Sequence, residues 1–430
     1  MEILHLTAVK DFEKGTAYGE RCLTYEYHNK SDKALVIISH SDLDGVTSAI
    51  NMLFGAIMMG YDTFVYLERT STEATSTELA IYAYNELKSK LHHYKNVEIA
   101  FTDRMFMNPQ EFLKNVALEH VLGKTLKFTW YDHHEGNYRS REELNNKFGL
   151  PNIDVFEDYE VITDIYHCGA SISAVRMCKR VLECETIVEE YIGKASKFME
   201  NLIYFSKKVN LWDTFLWKKE YKSTDNEYIL GQMMGSIDKM FDNEKDVFKH
   251  LIDAAKLYDG LDNKEVDAFI LECYTKYKEL VSKVYEDVLK DELGDKVYRF
   301  DPKTNKHYNI VLLPVEWKYS SAVKEMFMEE FDKTDCVITF NKFGGTVYTK
   351  DGYQEFPSYN LAEFIGTMYG FTGGGHQNAA GFKIHKDFPA FYDERKCLST
   401  NLERIRLALN EFMFELIEGG LHCEFRNTSK

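Results

Sequence analysis

A chain of 430 residues exceeds the usual size of a single domain, so we expect two or three domains, each with its own core. No run of eighteen apolar residues is present, which excludes a membrane-spanning helix. The first six residues lack the basic stretch and apolar core of a secretory signal, which predicts a cytoplasmic location. The eight cysteines form no Cys-x-x-Cys pair, so we predict reduced core thiols and no structural zinc site.

The net charge of −17 limits the kind of partner that this chain binds. Acidic residues number 69 against 52 basic ones, and the basic runs are short, as at Lys218-Lys219. Proteins that grip long DNA or RNA usually present a basic stripe, because neutralising phosphates provides the affinity. We therefore expect either a short nucleic acid or metal ions that supply the missing positive charge.

The first chemical motif follows a buried strand. Residues 34–39 form a continuous apolar run typical of a parallel strand, and residues 46–60 read as a helix that ends at Gly60. Between them, His40, Asp42 and Asp44 occupy alternate positions, and an extended backbone would place all three on one face. The alternative is that one acid only caps the helix.

Two further strands are predicted at residues 64–67 and 97–102. A Ser/Thr-rich loop at 69–77 follows the first and leads into a helix that begins near residue 78. The second ends in Asp103, and the next helix has Pro109 in its first turn. Asp103 is either a carboxylate placed at the sheet edge or an ordinary turn acid.

The fourth strand, residues 128–131, stops at Asp132, His133 and His134. Adjacent residues of an extended chain point to opposite sides, so Asp132 and His134 face one way and His133 the other. One imidazole can then bind a metal while its neighbours orient it or meet a substrate. An isolated sequence of this kind would be a solvated turn, but here several strands end in ligand-type residues, which predicts a shared site at one sheet edge.

Residues 135–165 are polar and irregular, and helices are predicted at 171–182 and 187–209. Asp213 then stands among bulky aromatic residues, where an unpaired carboxylate is costly. It therefore needs a metal or a hydrogen-bond donor, unless it caps a following helix.

The second half of the chain begins with a charged helical stretch. Residues 226–293 read as helical, with a long amphipathic helix at 265–289. A β-rich region follows, with strands predicted at 297–300, 308–313, 335–341 and 346–349. Its most distinctive segment is 373–382, where three glycines precede His376 and allow close approach of the backbone to an anion. Residues 401–419 read as an amphipathic helix.

Together these motifs resemble the DHH phosphoesterase family with its C-terminal DHH-associated domain. The resemblance rests on segment 40–45, Asp103, segment 132–134, Asp213 and segment 373–382, in that order, and spans residues 34 to 384. The family comprises manganese-dependent phosphodiesterases: RecJ-type single-strand exonucleases, nanoRNases, cyclic-dinucleotide hydrolases and some pyrophosphatases. The resemblance implies an α/β fold, with a parallel-sheet domain over 1–225, a helical linker over 226–295, a smaller α/β domain over 296–430, and the active site in the cleft between the domains.

The resemblance also implies a cofactor of two divalent metal ions, Mn²⁺ or alternatively Mg²⁺. The implied metal ligands are His40, Asp42, Asp44, Asp103, His133 and Asp213, with Asp103 bridging. Asp132 and His134 would be catalytic, with Asp132 behind the ligands and His134 near the scissile phosphate. Mixed carboxylate and imidazole donors suit manganese, and two metals can activate water, so no Ser or Cys nucleophile is required. The implied substrate-binding residues are Gly373, Gly374, Gly375 and His376.

Two departures from the family pattern affect the site. The interval between His133 and Asp213 is long, which leaves Asp164 as the alternative last ligand. Where many members carry an arginine before the glycine motif, this chain offers Lys350, a point charge without a bidentate fork. Aromatic residues of the second domain such as Tyr348 are candidates to stack bases, although core packing explains them more simply.

The expected function is therefore hydrolysis of short single-stranded oligonucleotides or linear and cyclic dinucleotides. RecJ-like digestion of longer single-stranded DNA is the enzymatic alternative, and a catalytically silent nucleotide-binding or scaffold protein is the non-enzymatic one. No membrane partner is expected, and a homodimer is possible. Residues 1–33 and the tail after 385 receive no functional role.

Overall fold

The computed structural model of the chain describes residues 7–8, 22–28, 30–68, 84–85, 89–104, 125–134, 156–164, 166–240, 263–291, 295–301, 306–350, 358–371, 373–375, 379–384 and 393–418. The chain divides into two compact units, Met1–Thr275 and Lys276–Lys430. The predicted loop at 69–77 lies outside the described residues, as do the predicted helix starts at 78 and 109 and residue His376.

The first unit is built on a seven-stranded sheet in the order β1-β2-β4-β3-β5-β6-β7. Its strands are β1 Thr7–Ala8, β2 Cys22–Tyr27, β3 Lys33–His40, β4 Asp62–Glu68, β5 Asn96–Thr102, β6 Thr125–Asp132 and β7 Phe156–Val161. Strands β4, β3, β5, β6 and β7 run parallel, whereas β2 pairs antiparallel with β4 and β1 with β2. The parallel sheet predicted from the sequence is confirmed.

Six helices are described around this sheet within the first unit's described residues. They are α1 Leu43–Met58, α2 Gly169–Glu183, α3 Ala195–Asp213, α4 Leu216–Lys219, α5 Asn226–Met234 and α6 Ile237–Met240. The carboxyl end of α1 is followed by Gly60 in the left-handed region, φ 79°, as the sequence predicts. The predicted helix at 187–209 is wrong at its start, because residues Glu189–Tyr191 form a 3₁₀ turn and left-handed Gly193, φ 81°, precedes α3.

Strand β7 shows that the predicted irregular segment, residues 135–165, is partly wrong. Its sequence, Phe-Glu-Asp-Tyr-Glu-Val, is rich in acids, so it lacks the apolar alternation of a half-buried strand. The structure places it at the edge of the sheet, paired with β6 alone among the described strands. Arg176 of α2 forms ion pairs with Asp158 and Glu160 of this strand, which explains how an acidic strand is accommodated.

The core of the first unit lies between the sheet and helices α1 to α3. Leu35 and Ile37 of β3 belong to this core, while Val36 and Ile38 are buried on the opposite side, so the strand is buried on both faces. Every residue of α1 is buried. A 28-residue helix, α7 Asn263–Lys290, adds apolar residues from its first turns to the same core. The predicted linker thus contributes to the first unit's core, and the division between the units falls inside α7; the predicted three-part division stays a prediction.

The second unit is built on a six-stranded sheet in the order β12-β13-β11-β10-β9-β8. Its strands are β8 Asp295–Asp301, β9 Lys306–Pro314, β10 Cys336–Phe340, β11 Gly344–Thr349, β12 Gly373–Gly375 and β13 Ala379–Lys383. Among these described strands only β9 and β10 pair in parallel. Helices α8 Trp317–Glu330, α9 Ser358–Met368 and α10 Glu394–Glu418 complete the described elements. A separate core contains Leu312, Ile338, Leu361 and Leu409, so this unit has its own packed interior.

None of the helices in the described ranges combines the length and apolar character that crossing a bilayer requires.

Candidate metal centre

The first motif lies where β3 passes into α1. Asp42 is the N-cap of α1, and its Oδ1 accepts a hydrogen bond of 2.9 Å from the Gly45 amide. His40 Nδ1 lies 2.6 Å from the other carboxylate oxygen of Asp42. A Cβ at position 45 would lie 2.4 Å from the carbonyl oxygen of His40, so this turn requires glycine. Asp42 is therefore a helix cap and a neighbour of His40 at the same time.

Asp44 reaches the site from the first turn of α1, because the backbone is helical from Leu43 onward rather than extended. Its side chain is fully buried and accepts hydrogen bonds from two amides at the N-terminus of α2, Gly169 at 2.8 Å and Ala170 at 2.6 Å. A carboxylate at a helix N-terminus is stabilised by these amides and by the helix dipole. The two helices are thus joined through one ligand-type side chain.

Asp103 follows β5 and has a left-handed backbone, φ 51°, which is unusual for a residue other than glycine. Its amide donates to the carbonyl of Tyr131 at 2.9 Å, and the residue is only 2% exposed. An ordinary turn acid would be solvated, so the structure excludes that alternative for Asp103. Gly169 packs directly against it, because a Cβ at position 169 would lie 2.7 Å from the Asp103 Cβ.

The segment after β6 combines a buried acceptor with two imidazoles. Oδ1 of Asp132 accepts from the His133 amide at 2.8 Å and from His134 Nδ1 at 2.7 Å. The expected opposite orientation of His133 is wrong, because its ring centroid lies 4.7 Å from that of His134 and both imidazoles approach Asp103. His133 Nε2 lies 3.3 Å from Asp103 Oδ1 and 3.5 Å from Asp44 Oδ2. Three adjacent parallel strands, β3, β5 and β6, therefore deliver side chains to one sheet edge.

Asp213 is the last residue of α3, so it does not cap a following helix. Its Oδ2 lies 3.7 Å from His133 Nε2. Asp164, the alternative ligand, accepts from His167 Nδ1 at 2.8 Å instead and is half exposed. The structure brings Asp213 to the cluster and leaves Asp164 with its own histidine.

Three sets of potential ligands, each with atoms within 4.8 Å of one another, emerge among the described residues. They are His40, Asp42 and Asp103; Asp44, His133 and Asp213; and Asp103, Asp132, His133 and His134. Asp103 and His133 each belong to two of these sets. All six metal ligands expected from the sequence and both expected catalytic residues lie in this one cluster.

The electrostatics of the cluster show an excess of negative charge. The pKa of Asp103 lies well above its ordinary value, because burial and the charges of Asp44, Asp42 and Asp213 all disfavour ionisation. Burial and the charges of Asp44 and Asp42 raise the pKa of Asp213 to about 8 despite the opposing effect of His134. Hard carboxylate oxygens with imidazole nitrogens, crowded at this density, fit divalent cations of the manganese and magnesium type.

Hydrogen bonds within the cluster also shift the pKa values of His134 and Asp42. Burial lowers the pKa of His134, but the hydrogen bond and charge of Asp132 prevail and raise it to about 9. The pKa of Asp42 is lowered: desolvation raises it, and the hydrogen bond and charge of His40 and the Gly45 amide outweigh that effect.

The glycine motif of the second unit lines a pocket of about 520 Å³. The residues of the lining are Trp317, Asn341, Phe343, Gly344, Gly345, Gly373, Gly374, Gly381, Phe382 and Lys383. Two of the predicted substrate-binding residues are among them, and Gly375 belongs to the same strand, β12. The structure does not bring Lys350 into the pocket, because its Nζ donates to the Asp332 carbonyl at 2.9 Å.

Sequence reasoning missed the side chains that accompany these glycines. Trp317 and Phe343 are exposed. Lys383 reaches the pocket because β13 pairs with β11, with Lys383 opposite Gly344. No local pattern in the sequence indicates this pairing. Tyr348, considered as a base-stacking residue, is buried, and its hydroxyl lies 3.0 Å from the hydroxyl of Ser320, so the core interpretation is confirmed.

The fold and the cluster define this chain as an α/β protein with a candidate metal centre at the carboxyl edge of a parallel sheet. No family model matches the chain, and no curated protein matches it either. Similar solved structures include RecJ from Thermus thermophilus in complex with Mn²⁺, with 14% identity, a TM-score of 0.43, and coverage of 88% of this chain and 52% of that one. An exonuclease RecJ bound to manganese has 12% identity, a TM-score of 0.43 and coverage of 87% and 90%.

An uncharacterized protein from Helicobacter pylori G27 is also similar, with 16% identity, a TM-score of 0.31, and coverage of 87% of this chain and 99% of that one. These identities and TM-scores are low, so the chemistry of this chain is inferred from its own side chains.

Proposed function

We propose that this protein is a metal-dependent phosphodiesterase, using manganese, that hydrolyses short single-stranded oligonucleotides or linear and cyclic dinucleotides. The observation that carries the proposal is the convergence of five aspartates and three histidines in one cluster, with Asp103 and His133 each shared between two sets. Asp44 and Asp103 are buried, and like charges held this close without water are unfavourable unless a cation is present, which supports metal binding.

Two of the three ligand sets assign the metal-holding residues. His40, Asp42 and Asp103 would hold one ion, and Asp44, His133 and Asp213 the other; Asp103 also lies 3.3 Å from His133 of the second set. When bound, two divalent ions would neutralise phosphate charge and activate water for attack, which removes the need for a protein nucleophile.

Asp132 and His134 belong to the third set, with Asp103 and His133, and are assigned to support the reaction rather than to hold an ion. Asp132 accepts three hydrogen bonds, from the amides of His133 and His134 and from His134 Nδ1, which fits a carboxylate that acts only as an acceptor. With a pKa of about 9, His134 is protonated near neutral pH, so its Nδ1–H donates to Asp132 and its Nε2–H remains available to donate to a phosphate oxygen. Asp132 is a positioning residue, and His134 is the candidate for substrate contact.

The second unit has a pocket whose own lining suits a nucleotide. Its glycine backbone allows close approach of a phosphate, Lys383 provides positive charge, and Trp317 and Phe343 are exposed rings. The net charge of −17 favours short substrates, because a long nucleic acid would meet repulsion beyond the site. RecJ-like digestion of longer single-stranded DNA uses the same chemistry and is the second candidate.

Hydrolysis of a substrate panel tests the proposal. The panel contains a dinucleotide, a five-residue RNA, a long single-stranded DNA, a cyclic dinucleotide and pyrophosphate, each assayed with Mn²⁺ and after chelation. Wild type and Asp103→Ala are compared with Asp164→Ala, an acid outside the cluster that serves as the matched control.

We expect Mn²⁺-dependent loss of the short or cyclic substrates, abolished in Asp103→Ala and retained in Asp164→Ala. Faster, processive loss of the long DNA would instead favour the RecJ-like alternative. Absence of metal-dependent turnover of every substrate would contradict the proposal and favour a silent nucleotide-binding or scaffold protein.

A further inference from the structure

An exposed aromatic residue, Phe215, lies two positions after Asp213 of the candidate metal centre. Phe215 is 50% exposed and has a left-handed backbone, φ 57°, a conformation that favours glycine or asparagine over an aromatic residue. It lies two residues after Asp213, so their Cα atoms are within about 7.6 Å of each other. A strained, exposed phenylalanine next to a reactive centre is the kind of outlier that calls for a functional explanation.

The ring of Phe215 is the outer end of a stack of aromatic side chains. Its centroid is 6.2 Å from that of Trp212, and Trp212 lies 5.7 Å from Trp217 with an interplanar angle of only 20°. Tyr228 packs edge-on against the inner ring, Trp217, at 4.9 Å. The exposed ring is therefore backed by a series of buried or half-buried rings rather than by solvent.

Two glycines, one within α5 and one at its C-cap, hold this stack in place. A Cβ at Gly231 would lie 2.3 Å from Trp217 Cγ, and a Cβ at Gly235 would lie 2.3 Å from Trp212 Cη2. The two positions are one helical turn apart, so this end of α5 offers a flat backbone surface on which both indoles sit. The aromatic stack is consequently rigid, which reduces the entropy cost of binding a planar ligand on its outer ring.

Three lysines lie near the stack. Lys218 Nζ lies 4.7 Å from the Trp217 ring centroid, and Lys239 Nζ lies 5.7 Å from that of Trp212. Lys219 Nζ donates to the Thr214 carbonyl at 3.1 Å, immediately before Phe215. A planar ligand that also carries negative charge suits this combination of rings and ammonium groups.

We propose that Phe215 is a stacking platform for the nucleobase adjacent to the phosphate that is cleaved. The inference rests on the proposed phosphodiesterase function and narrows its substrate class to phosphodiesters that carry a base, because pyrophosphate has no planar group for the ring. Phe215 is thus assigned as a specificity-determining residue of the first unit, independent of the glycine pocket.

Binding of base-containing and base-free phosphates tests the platform without requiring turnover. Calorimetric titration of adenosine 5′-monophosphate and ribose 5-phosphate, at one ionic strength with Mn²⁺ present, is carried out on wild type, Phe215→Leu and Phe215→Tyr. Ile192→Ala, which removes an apolar side chain that is 66% exposed in the same unit, is the matched control. Urea midpoints establish that each variant is folded.

We expect Phe215→Leu to weaken the binding of adenosine 5′-monophosphate about tenfold, consistent with the loss of one base–ring stack. Ribose 5-phosphate should be unaffected, and Phe215→Tyr and Ile192→Ala should bind both ligands as wild type does. Unchanged nucleotide binding in Phe215→Leu would overturn the inference. Equal losses for both ligands would also overturn it, because they would show a disturbed metal centre instead of a lost stack.

A kinetic comparison separates this inference from the proposed function. A short oligonucleotide and its analogue lacking the terminal base are supplied to wild type and Phe215→Leu, and KM and kcat are measured. The variant should lose the preference for the base-containing substrate mainly through KM. If wild type hydrolyses neither substrate, the proposed function fails while the titrations still decide the platform; turnover with an unchanged preference contradicts the platform alone.

Discussion

Single residues of the cluster are held by backbone groups that lie far away in sequence. Asp44 accepts from two amides of α2, and Asp103 is placed by the hydrogen bond that its backbone N–H donates to the carbonyl of Tyr131 and by contact with Gly169. The sequence indicates the acids themselves, because each follows a strand. It gives no sign that Gly169 is part of the same arrangement, since a glycine before a helix is commonplace.

Gly169→Ala should destabilise the protein and weaken metal binding. The added methyl group would lie 2.7 Å from the Asp103 Cβ and 3.0 Å from Ser48 Oγ, and relieving such overpacking costs about 1–3 kcal/mol. Urea denaturation and Mn²⁺ titration measure the two effects. Gly381→Ala is the control, because its Cβ would meet its nearest atom at an ordinary 3.8 Å. Equal stability of the two variants would disprove the close packing of Gly169 on Asp103.

Asp213 and Asp164 can be separated by a matched pair of substitutions. Asp213→Asn should lower Mn²⁺ affinity at least about tenfold, because it removes a carboxylate 3.7 Å from His133 Nε2. Asp164→Asn should leave the affinity unchanged, since its partner is His167 outside the cluster. Calorimetric titration of each purified variant with Mn²⁺ measures the two affinities. Weaker Mn²⁺ binding in Asp164→Asn than in Asp213→Asn would instead make Asp164 the ligand.

At the scale of elements, helix α2 connects the metal cluster to the rest of the sheet. Its N-terminus holds Asp44, and one side of it contacts the sheet through Arg180, whose guanidinium donates to both oxygens of Glu98 on β5 at 2.7 and 2.8 Å. Thr129 of β6 donates to the same carboxylate. The buried ion pair therefore fixes the helix across two strands whose ends carry the site.

Arg180→Met should destabilise the protein strongly. The substitution leaves Glu98 as a buried, uncompensated charge, which lowers the free energy of unfolding by about 3 kcal/mol or more. The double variant that also carries Glu98→Gln should lose less stability, because the unpaired charge is removed. The free energy of unfolding in urea measures both. Lys179→Ala on the same helix breaks an exposed pair with Glu183 and should cost less than about 0.5 kcal/mol. An equally small decrease in the free energy of unfolding for Arg180→Met would contradict the structural role of the buried pair.

At the scale of the whole molecule, two units with separate cores differ in chemical character. The acidic cluster belongs entirely to the first unit, Met1–Thr275, while the glycine pocket belongs to Lys276–Lys430. The chain's large negative charge includes the acids of the cluster, which oppose folding of the first unit when no cation is bound. Ligands that bind only the folded state raise its stability.

Mn²⁺ should therefore stabilise the first unit selectively. At a concentration one hundred times its Kd, a bound ion adds about 2.7 kcal/mol to the free energy of unfolding. Scanning calorimetry should therefore show a higher unfolding temperature in Mn²⁺, which returns to the metal-free value after chelation. Asp103→Asn should lose this increment, and its metal-free form should be more stable than metal-free wild type because one buried charge is removed. A stabilisation by Mn²⁺ that persists in Asp103→Asn would contradict the assignment of the cluster as the metal site.

The sequence alone determined the parallel sheet, the strand ends and the residue types of the centre. Apolar runs such as 34–39 and 97–102 are long enough to predict buried strands, and polar residues directly after parallel strands must meet at one edge. Periodicity and local chemistry are sufficient for these conclusions. They fail for β7, whose acids match no strand pattern until Arg176 is seen beside them.

Only the tertiary structure decided which long-range partners complete the site. Asp213 rather than Asp164 joins the cluster because α3 ends beside His133, and the position of a helix end in space is not encoded in local spacing. The ring stack behind Phe215 likewise depends on the packing of Gly231 and Gly235 against two indoles. Local sequence patterns specify elements and donor types, whereas packing between elements distant in the chain sets the distances on which metal and substrate binding depend.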